Sequence, residues 1–146
     1  MRAAIMVFIF LSFLTACGQA FLVVPGGRLT GELVSGAVDW HDLPRTIQVE
    51  LRPREPYSIN LRVVLVERGI FIGTANQRSK WAKQIEADPS IRIGVDGKIY
   101  RLTASRVIEA NKRGNVLRAY EEKYGLDSTR EGISNMQLFE LHYRQE

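Results

Sequence analysis

The sequence has few of the side chains that build disulfide frameworks and metal centres. Among its 146 residues it contains one cysteine, Cys17, and two histidines, His41 and His142. One cysteine excludes an intramolecular disulfide, and a Cys/His zinc site would lack ligands. Carboxylates could still bind a hard cation, but no EF-hand-like spacing occurs. The sequence therefore predicts no metal site.

Dense charge and familiar catalytic motifs are lacking as well. The formal net charge is +4, and the basic residues are interleaved with acidic ones, so no nucleic-acid partner is expected. The chain has no Gly-x-Ser-x-Gly elbow, no phosphate loop ending in Gly-Lys-Ser/Thr and no Gly-x-Gly-x-x-Gly. These motifs therefore assign no catalytic residue, and the catalytic residues stay unknown.

The amino-terminal residues have the parts of an export signal. Arg2 supplies a positive start, and residues 3–16 form an uncharged apolar stretch that ends just before Cys17. This stretch is shorter than the ~20 residues that cross a bilayer comfortably. "LTAC" at 14–17 resembles the lipobox of bacterial lipoproteins, in which the thiol receives a diacylglyceryl group and the chain is cut before the cysteine. The resemblance implies a signal peptide at 1–16, lipidation of Cys17 and a membrane anchor of fatty acyl chains such as palmitate.

Two alternatives to lipidation remain open. Cleavage after Ala16 or Ala20 would release a soluble protein, and residues 3–24 could instead stay as an uncleaved anchor. Lipidation and the uncleaved anchor give one topology, with Arg2 on the cytoplasmic side and the domain outside. The residue after Cys17 is Gly18, whereas an aspartate at this position would resemble an inner-membrane retention signal. The expected location is the extracytoplasmic face of the cell envelope, at the outer membrane if two membranes are present.

The mature chain is long enough for one domain. Residues 17–44, rich in glycine and small residues, are expected to form a tether and an irregular segment, and residues 45–146 the domain. Alternating apolar residues predict strands at 45–52, 58–66, 70–74, 91–95, 98–107 and 136–144. Helical spacing predicts helices at 79–88 and 109–124. These elements predict a mainly β (α+β) fold, an antiparallel barrel with two packed helices.

Residues 62–93, "RVVLVERGIFIGTANQRSKWAKQIEADPSIRI", carry the pattern of a known family. A strand opens with Arg and aliphatic residues, an aromatic-containing strand ends in Thr, and a Ser-Lys pair opens a helix that an Asp-Pro pair stops. This pattern resembles the FMN-binding split-barrel proteins, which include pyridoxamine-phosphate oxidases and deazaflavin-dependent nitroreductases. Trp81 and "KIYRLTASRVIEA…AYEEKYG" look more like the nitroreductase branch. The resemblance covers about 45–125 and implies a split β-barrel.

The resemblance also implies a cofactor site and an assembly. The cofactor would be FMN or the deazaflavin F420, and its site residues would be Arg62, Val63, Val64, Thr74, Ser79 and Lys80. A phosphate needs cations and short donors near a helix start, which Lys80 and Thr74 would supply. Split barrels commonly pair with the cofactor at the seam, so a homodimer is implied. Two positions depart from the oxidase pattern: Glu67 replaces a basic residue, and Gly73 replaces an aromatic one.

Each of these residues also has a structural interpretation. Arg62 and Lys80 could be solvated charges, and Thr74 a strand-end residue. Trp81 could be a core or interface aromatic, and His41 a turn residue in place of an acid/base group.

Three functions therefore stand as hypotheses. The protein could be a flavin- or deazaflavin-dependent oxidoreductase of the nitroreductase type, in which the cofactor carries the hydride chemistry. It could hold a planar ligand without turnover. It could also be a structural envelope lipoprotein that uses the barrel as a packing or dimer surface.

Overall fold

The computed structural model describes residues 26–52 and 54–144. In order along the chain, its elements are β1 (Glu32–Val34), β2 (Thr46–Leu51), β3 (Tyr57–Val66), β4 (Gly69–Thr74), α1 (Lys80–Ala87), β5 (Ser90–Val95), β6 (Lys98–Arg106), α2 (Ala110–Tyr124) and β7 (Gln137–Tyr143). Neither α1 nor α2, the helices of this part of the chain, is long and apolar enough to cross a membrane. The predicted signal peptide and Cys17 lie outside the described residues.

Six strands close into an antiparallel barrel. Around the barrel the order is β2, β3, β4, β7, β6 and β5, and β5 pairs again with β2. The closing pair joins β6 to β7, with Ala104 opposite Leu141. Each predicted strand and helix is present, with bounds within one or two residues of those expected. The predicted mainly β fold with two helices is therefore confirmed.

Strand β1 was not predicted, and it lies in the segment expected to be irregular. It runs parallel to β6 and pairs with Lys98–Tyr100. The pairing of β7 with β6 begins only at Leu102, so β1 extends the edge that β7 leaves free. A strand of three residues shows too little alternation to be recognised in the sequence. Its pairing also depends on an available strand edge elsewhere in the fold.

The two faces of β3 serve two apolar cores. Leu61 and Val63 point into the barrel and pack in the larger cluster, together with Ile47, Val49 and other inward residues. Val64 points outward and packs beneath α2 in a second cluster. Because successive strand residues point to opposite faces, one strand joins the barrel interior to the helix outside it.

The two helices begin and end differently. The carboxylate of Glu109 caps α2 by accepting hydrogen bonds from the backbone amides of Asn111 (2.8 Å) and Lys112 (2.7 Å). Gly125 ends α2 with φ of 66°, as its predicted role as a carboxyl-terminal cap requires. Helix α1 buries Ala82 and Ile85 against the barrel core.

A buried ion pair ties the described amino-terminal segment to the barrel. Glu50, 2% exposed, accepts hydrogen bonds from Arg92 Nε (2.9 Å) and Nη2 (2.6 Å) on the neighbouring strand β5. The same carboxylate accepts a bond from the Leu29 amide at 2.6 Å. Gly26 and Ser58 exchange two backbone hydrogen bonds nearby. Hydrogen bonds to Glu50 on β2 and to Ser58 on β3 therefore hold residues 26–29 against the barrel.

Candidate functional site

The loop between β4 and α1 brings three predicted site residues together. Thr74 ends β4, and its Oγ1 accepts a hydrogen bond from the Asn76 amide at 3.1 Å. Asn76 in turn accepts bonds from the amides of Arg78 (2.9 Å, at Oδ1) and Ser79 (3.0 Å, at the carbonyl). These local bonds fold the loop and lead directly into Lys80, the first residue of α1. Thr74, Ser79 and Lys80 thus share one loop at the end of the barrel.

The amino-terminal end of α1 is positive and uncapped. Ser79 is buried at the N-cap position, but its side chain makes no capping hydrogen bond within the described chain. Lys80 and Lys83 lie in or next to the first turn, which holds no acid, and neither lysine has an ion pair among the described residues. Glu86, near the other end, pairs with Arg106. Helix dipoles favour the reverse arrangement of charges, so this end is suited to an anion.

Arg62 lies with the other helix. Its guanidinium carbon is 5.3 Å from the ring centroid of Tyr124, on α2, and its carbonyl oxygen accepts a hydrogen bond from the Tyr120 hydroxyl at 3.0 Å. Arg62 shares the outward face of β3 with Val64, whereas Thr74 shares the inward face of β4 with Ile72. No contact joins the Arg62 side chain to the β4–α1 loop in the described residues.

The two valines of the predicted site are core residues. Val63 is fully buried inside the barrel, and Val64 is buried beneath α2. Their side chains point to opposite faces of β3. A ligand on either face of β3 would therefore contact at most the backbone of Val63 and Val64. The exposed side chain of Arg62 could still contact such a ligand.

The two departures from the family pattern have distinct surroundings. A Cβ atom on Gly73 would lie 2.7 Å from Leu138 Cδ2 and 3.1 Å from the Gln137 carbonyl oxygen. Strand β7 thus occupies the space that an aromatic ring at position 73 would need. Glu67 lies in the β3–β4 turn with φ of 48° and lines a cavity of 190 Å³ together with Glu109 and other residues at the start of α2.

A cationic cluster around Tyr124 was not found from the sequence. Besides Arg62, the Arg45 guanidinium carbon lies 5.0 Å and Lys123 Nζ 5.8 Å from the same ring centroid. Burial lowers the pKa of Lys123, and the nearby Arg45 charge lowers it further while Asp42 opposes the shift. Arg45 and Lys123 are far apart in the sequence, and no local pattern connects them.

Trp81 and His41 are the two other residues that the sequence singled out. Trp81 packs on Phe139 with ring centroids 5.8 Å apart and contacts the barrel core, as its structural interpretation requires. His41 is exposed, with Nε2 3.8 Å from a carboxylate oxygen of Asp39.

A larger cavity lies elsewhere on the molecule. It measures 670 Å³ between β1, the loop that follows it and the end of β7, and it is lined by residues that include Leu33, Arg101 and Tyr143. None of the predicted cofactor residues lines it.

No sequence-family model matches this chain, and no curated protein matches it. Solved structures do share its fold. The heme storage protein HutZ of Vibrio cholerae superposes with a TM-score of 0.56 at 18% identity, over 70% of this chain and 83% of that one. An FAD-binding protein of Mesorhizobium loti gives 0.53 at 12%, over 70% and 81%. An F420-H2 dependent reductase, FDR-A, gives 0.55 at 12%, over 67% and 94%. The predicted split-barrel fold is confirmed.

Proposed function

We propose that this protein binds a phosphate-bearing flavin or deazaflavin, FMN or F420, at the start of α1 and acts as a lipid-anchored oxidoreductase outside the cytoplasm. One observation carries the proposal: α1 begins with an uncapped, cationic turn at Ser79 and Lys80. Uncapped amides and a lysine at a helix start are the groups that hold a phosphate.

Each residue of the loop has a defined task in this proposal. Lys80 makes a charge-assisted contact with the phosphate, and the backbone amides of the first turn of α1 donate to it. The Thr74 hydroxyl, whose oxygen already accepts from Asn76, retains its proton for donation. Ser79 adds a second hydroxyl. The cofactor would supply hydride chemistry, and the barrel would bind and orient it.

The shared fold supports this proposal at a general level. Two of the similar structures are named for FAD binding and for F420-H2 dependent reduction, and a third for heme storage. Proteins of this fold are thus named for different cofactors, and the phosphate site proposed at α1 favours a flavin type here.

Fluorescence titration tests this function. Purified protein is titrated with FMN, with F420 and with riboflavin, which lacks the phosphate. We expect FMN or F420 to bind more tightly than riboflavin, and Lys80→Ala to weaken that binding about ten- to hundredfold, since a charge-assisted bond contributes about 1.5–3 kcal/mol. Lys98→Ala, an exposed lysine at the start of β6, is the matched control. Binding of neither cofactor at high micromolar concentration would contradict the proposal.

A non-catalytic binding or structural lipoprotein is the second candidate, and Glu67 and Gly73 favour it. The oxidase pattern has a cation and an aromatic ring at these positions, and β7 leaves no room for that ring. Bound cofactor that is bleached no faster than free cofactor when a reductant is added would indicate a binding protein. Failure of both cofactors to bind would leave the structural role.

Homodimerisation remains part of the proposal. A barrel of this size has a limited core, and pairing would bury additional surface. Sedimentation of the chain without residues 1–20 is expected to show a dimer at micromolar concentration. A strict monomer would remove the shared-seam site.

A further inference from the structure

We propose that Arg45 and Arg62 form a second anion site, separate from the α1 site, for a phosphate-ester group at the carboxyl-terminal end of α2. Their guanidinium carbons lie 5.0 and 5.3 Å from the centroid of one ring, that of Tyr124. The two groups are therefore no more than about 10 Å apart, and both are exposed. Each guanidinium fork can donate two hydrogen bonds to the oxygens of a phosphate.

Neither arginine charge of this cluster is balanced by a carboxylate in the described chain. The Arg45 side chain donates to the Lys123 carbonyl oxygen at 3.1 Å, and Arg62 contacts the Tyr124 ring. Lys123 adds a third charge, with Nζ bonded to the carbonyls of Leu43 (2.9 Å) and Pro44 (3.0 Å). Neither arginine has an ion pair with any described residue. An anion would relieve the repulsion among these cations.

One acidic side chain, that of Asp42, acts on Lys123. Asp42 raises the pKa of Lys123 against the lowering by burial, and its Oδ1 accepts a hydrogen bond from the Leu43 amide at 2.8 Å. Asp42 therefore offsets part of the lysine charge, whereas no described carboxylate pairs with either arginine.

The carboxyl-terminal end of α2 favours some positive charge, but it does not account for all of the positive charge in this cluster. The carboxyl-terminal carbonyls of α2 favour a nearby cation. One of these carbonyls, that of Lys123, accepts from Arg45, and that of Glu121 accepts from the Gly125 amide at 2.8 Å. Arg62 donates to no carbonyl of α2 in the described residues. The helix end thus accounts for Arg45 and not for Arg62.

The backbones of both arginines are fixed in advance. The Tyr124 hydroxyl donates to the Arg45 carbonyl at 2.6 Å, and the Tyr120 hydroxyl donates to the Arg62 carbonyl at 3.0 Å. Both tyrosines belong to α2, and their rings stack with centroids 5.5 Å apart. Binding an anion here would require only side-chain adjustment, which distinguishes the cluster from scattered surface charges.

Nitrogen-15 NMR of the protein tests this site with inorganic phosphate as the probe. Phosphate is titrated against chloride at constant ionic strength, and the Nε signals of Arg45 and Arg62 are followed. We expect saturable shifts at both side chains, and a loss of affinity of at least tenfold in Arg45→Gln. Arg54→Gln removes the same charge near the other end of the β2–β3 hairpin and should change nothing. Equal affinity in the two variants, or shifts that never saturate, would overturn the site.

The same variants separate this site from the proposed cofactor site. If Arg45→Gln weakens phosphate binding and leaves FMN affinity unchanged, the two sites are distinct, as proposed. If it weakens FMN as much as Lys80→Ala does, one composite site exists and the separate site is refuted. If FMN never binds while the phosphate shifts persist, the cofactor function fails and the anion site stands. Arg62→Lys keeps the charge but loses the guanidinium fork, so it should show an intermediate affinity for phosphate. Unchanged amide spectra away from the cluster would confirm that each variant is folded.

Discussion

The phenolic oxygen of Tyr124 lies between the backbones of Arg45 and Val63. It accepts a hydrogen bond from the Val63 amide at 2.9 Å and lies 2.7 Å from the Val63 carbonyl and 2.6 Å from that of Arg45. The β2–β3 pairing ends at Thr46 opposite Arg62, so Arg45 and Val63 would form the next pair. A side chain of α2 thus completes the ladder where the strands separate.

Replacing Tyr124 by phenylalanine should therefore destabilise the barrel. The Val63 amide would lose its acceptor and one of the two carbonyls its donor, and partly buried groups left unpaired cost about 1–2 kcal/mol in total. The free energy of unfolding in urea measures the effect. Tyr57→Phe is the control, because its hydroxyl has no hydrogen bond within the described residues. Equal stability of the two variants would show that the Tyr124 hydroxyl contributes nothing.

Stability should fall at alkaline pH because of Tyr120. Burial raises the pKa of Tyr120 well above its ordinary value, and nearby Tyr124 raises it further. Unfolded tyrosine releases its proton near pH 10, whereas the folded form retains it, so the stabilisation is complete below about pH 10 and is lost as pH rises above it. The free energy of unfolding should fall by up to about 1.4 kcal/mol per pH unit from this group.

Unfolding curves between pH 8 and 11 test that dependence. Tyr120→Phe removes the titrating group, so its stability should decline less steeply than that of the wild type. Tyr124 and Tyr143, whose pKa values burial also raises, keep part of the decline in both proteins. Parallel curves for the two proteins would contradict the role of Tyr120.

Replacing Glu50 by glutamine should be among the most damaging polar changes. The substitution leaves the Arg92 guanidinium without its carboxylate and weakens the bond to the Leu29 amide, and breaking such a buried pair costs about 3 kcal/mol or more. Urea unfolding measures the loss, and faster hydrogen exchange of the Leu29 amide would report release of the segment. Glu55→Gln, in an exposed pair with Arg52, should change little. Slow hydrogen exchange of the Leu29 amide in the Glu50 variant would show that Glu50 does not hold this segment on the barrel.

An alanine at Gly73 should destabilise the protein, whereas one at Gly114 should stabilise it. At Gly73 the new methyl group would press on Leu138 and the β7 backbone, and overpacking of this kind costs about 1–3 kcal/mol. At Gly114, inside α2, a Cβ would meet nothing within 4 Å, and alanine gains about 0.5–1 kcal/mol in helix propensity. Thermal unfolding of both variants checks the opposite signs. A neutral Gly73→Ala would show that β7 can move to admit a side chain.

Serine at Cys17 should abolish attachment by lipid. Metabolic labelling with a fatty acid is expected to mark the wild type and not the variant, and the variant should leave the membrane fraction. Equal label on both proteins would refute lipidation. Membrane retention without label would indicate residues 3–24 as the anchor.

The local part of the fold could be predicted, because its causes are local. Alternation over 45–52 and 58–66 indicates strands, since a strand sends alternate side chains to one face. Gly125 and the Asp96–Gly97 turn have positive φ values in the structure, as the cap and hairpin that the sequence predicts require. Thr74, Ser79 and Lys80 are near neighbours in the chain, so the sequence alone places them on one loop.

By itself, then, the sequence determined the order of strands, helices and turns, and the loop that joins β4 to α1. The tertiary structure decided which edges close the barrel, where β1 finds its partner, and which residues meet around Tyr124. Arg45, Arg62 and Lys123 come from three separate parts of the chain and converge only because α2 packs across β3. Periodicity and turn chemistry act over a few residues, whereas such meetings depend on how complete faces and edges pack together.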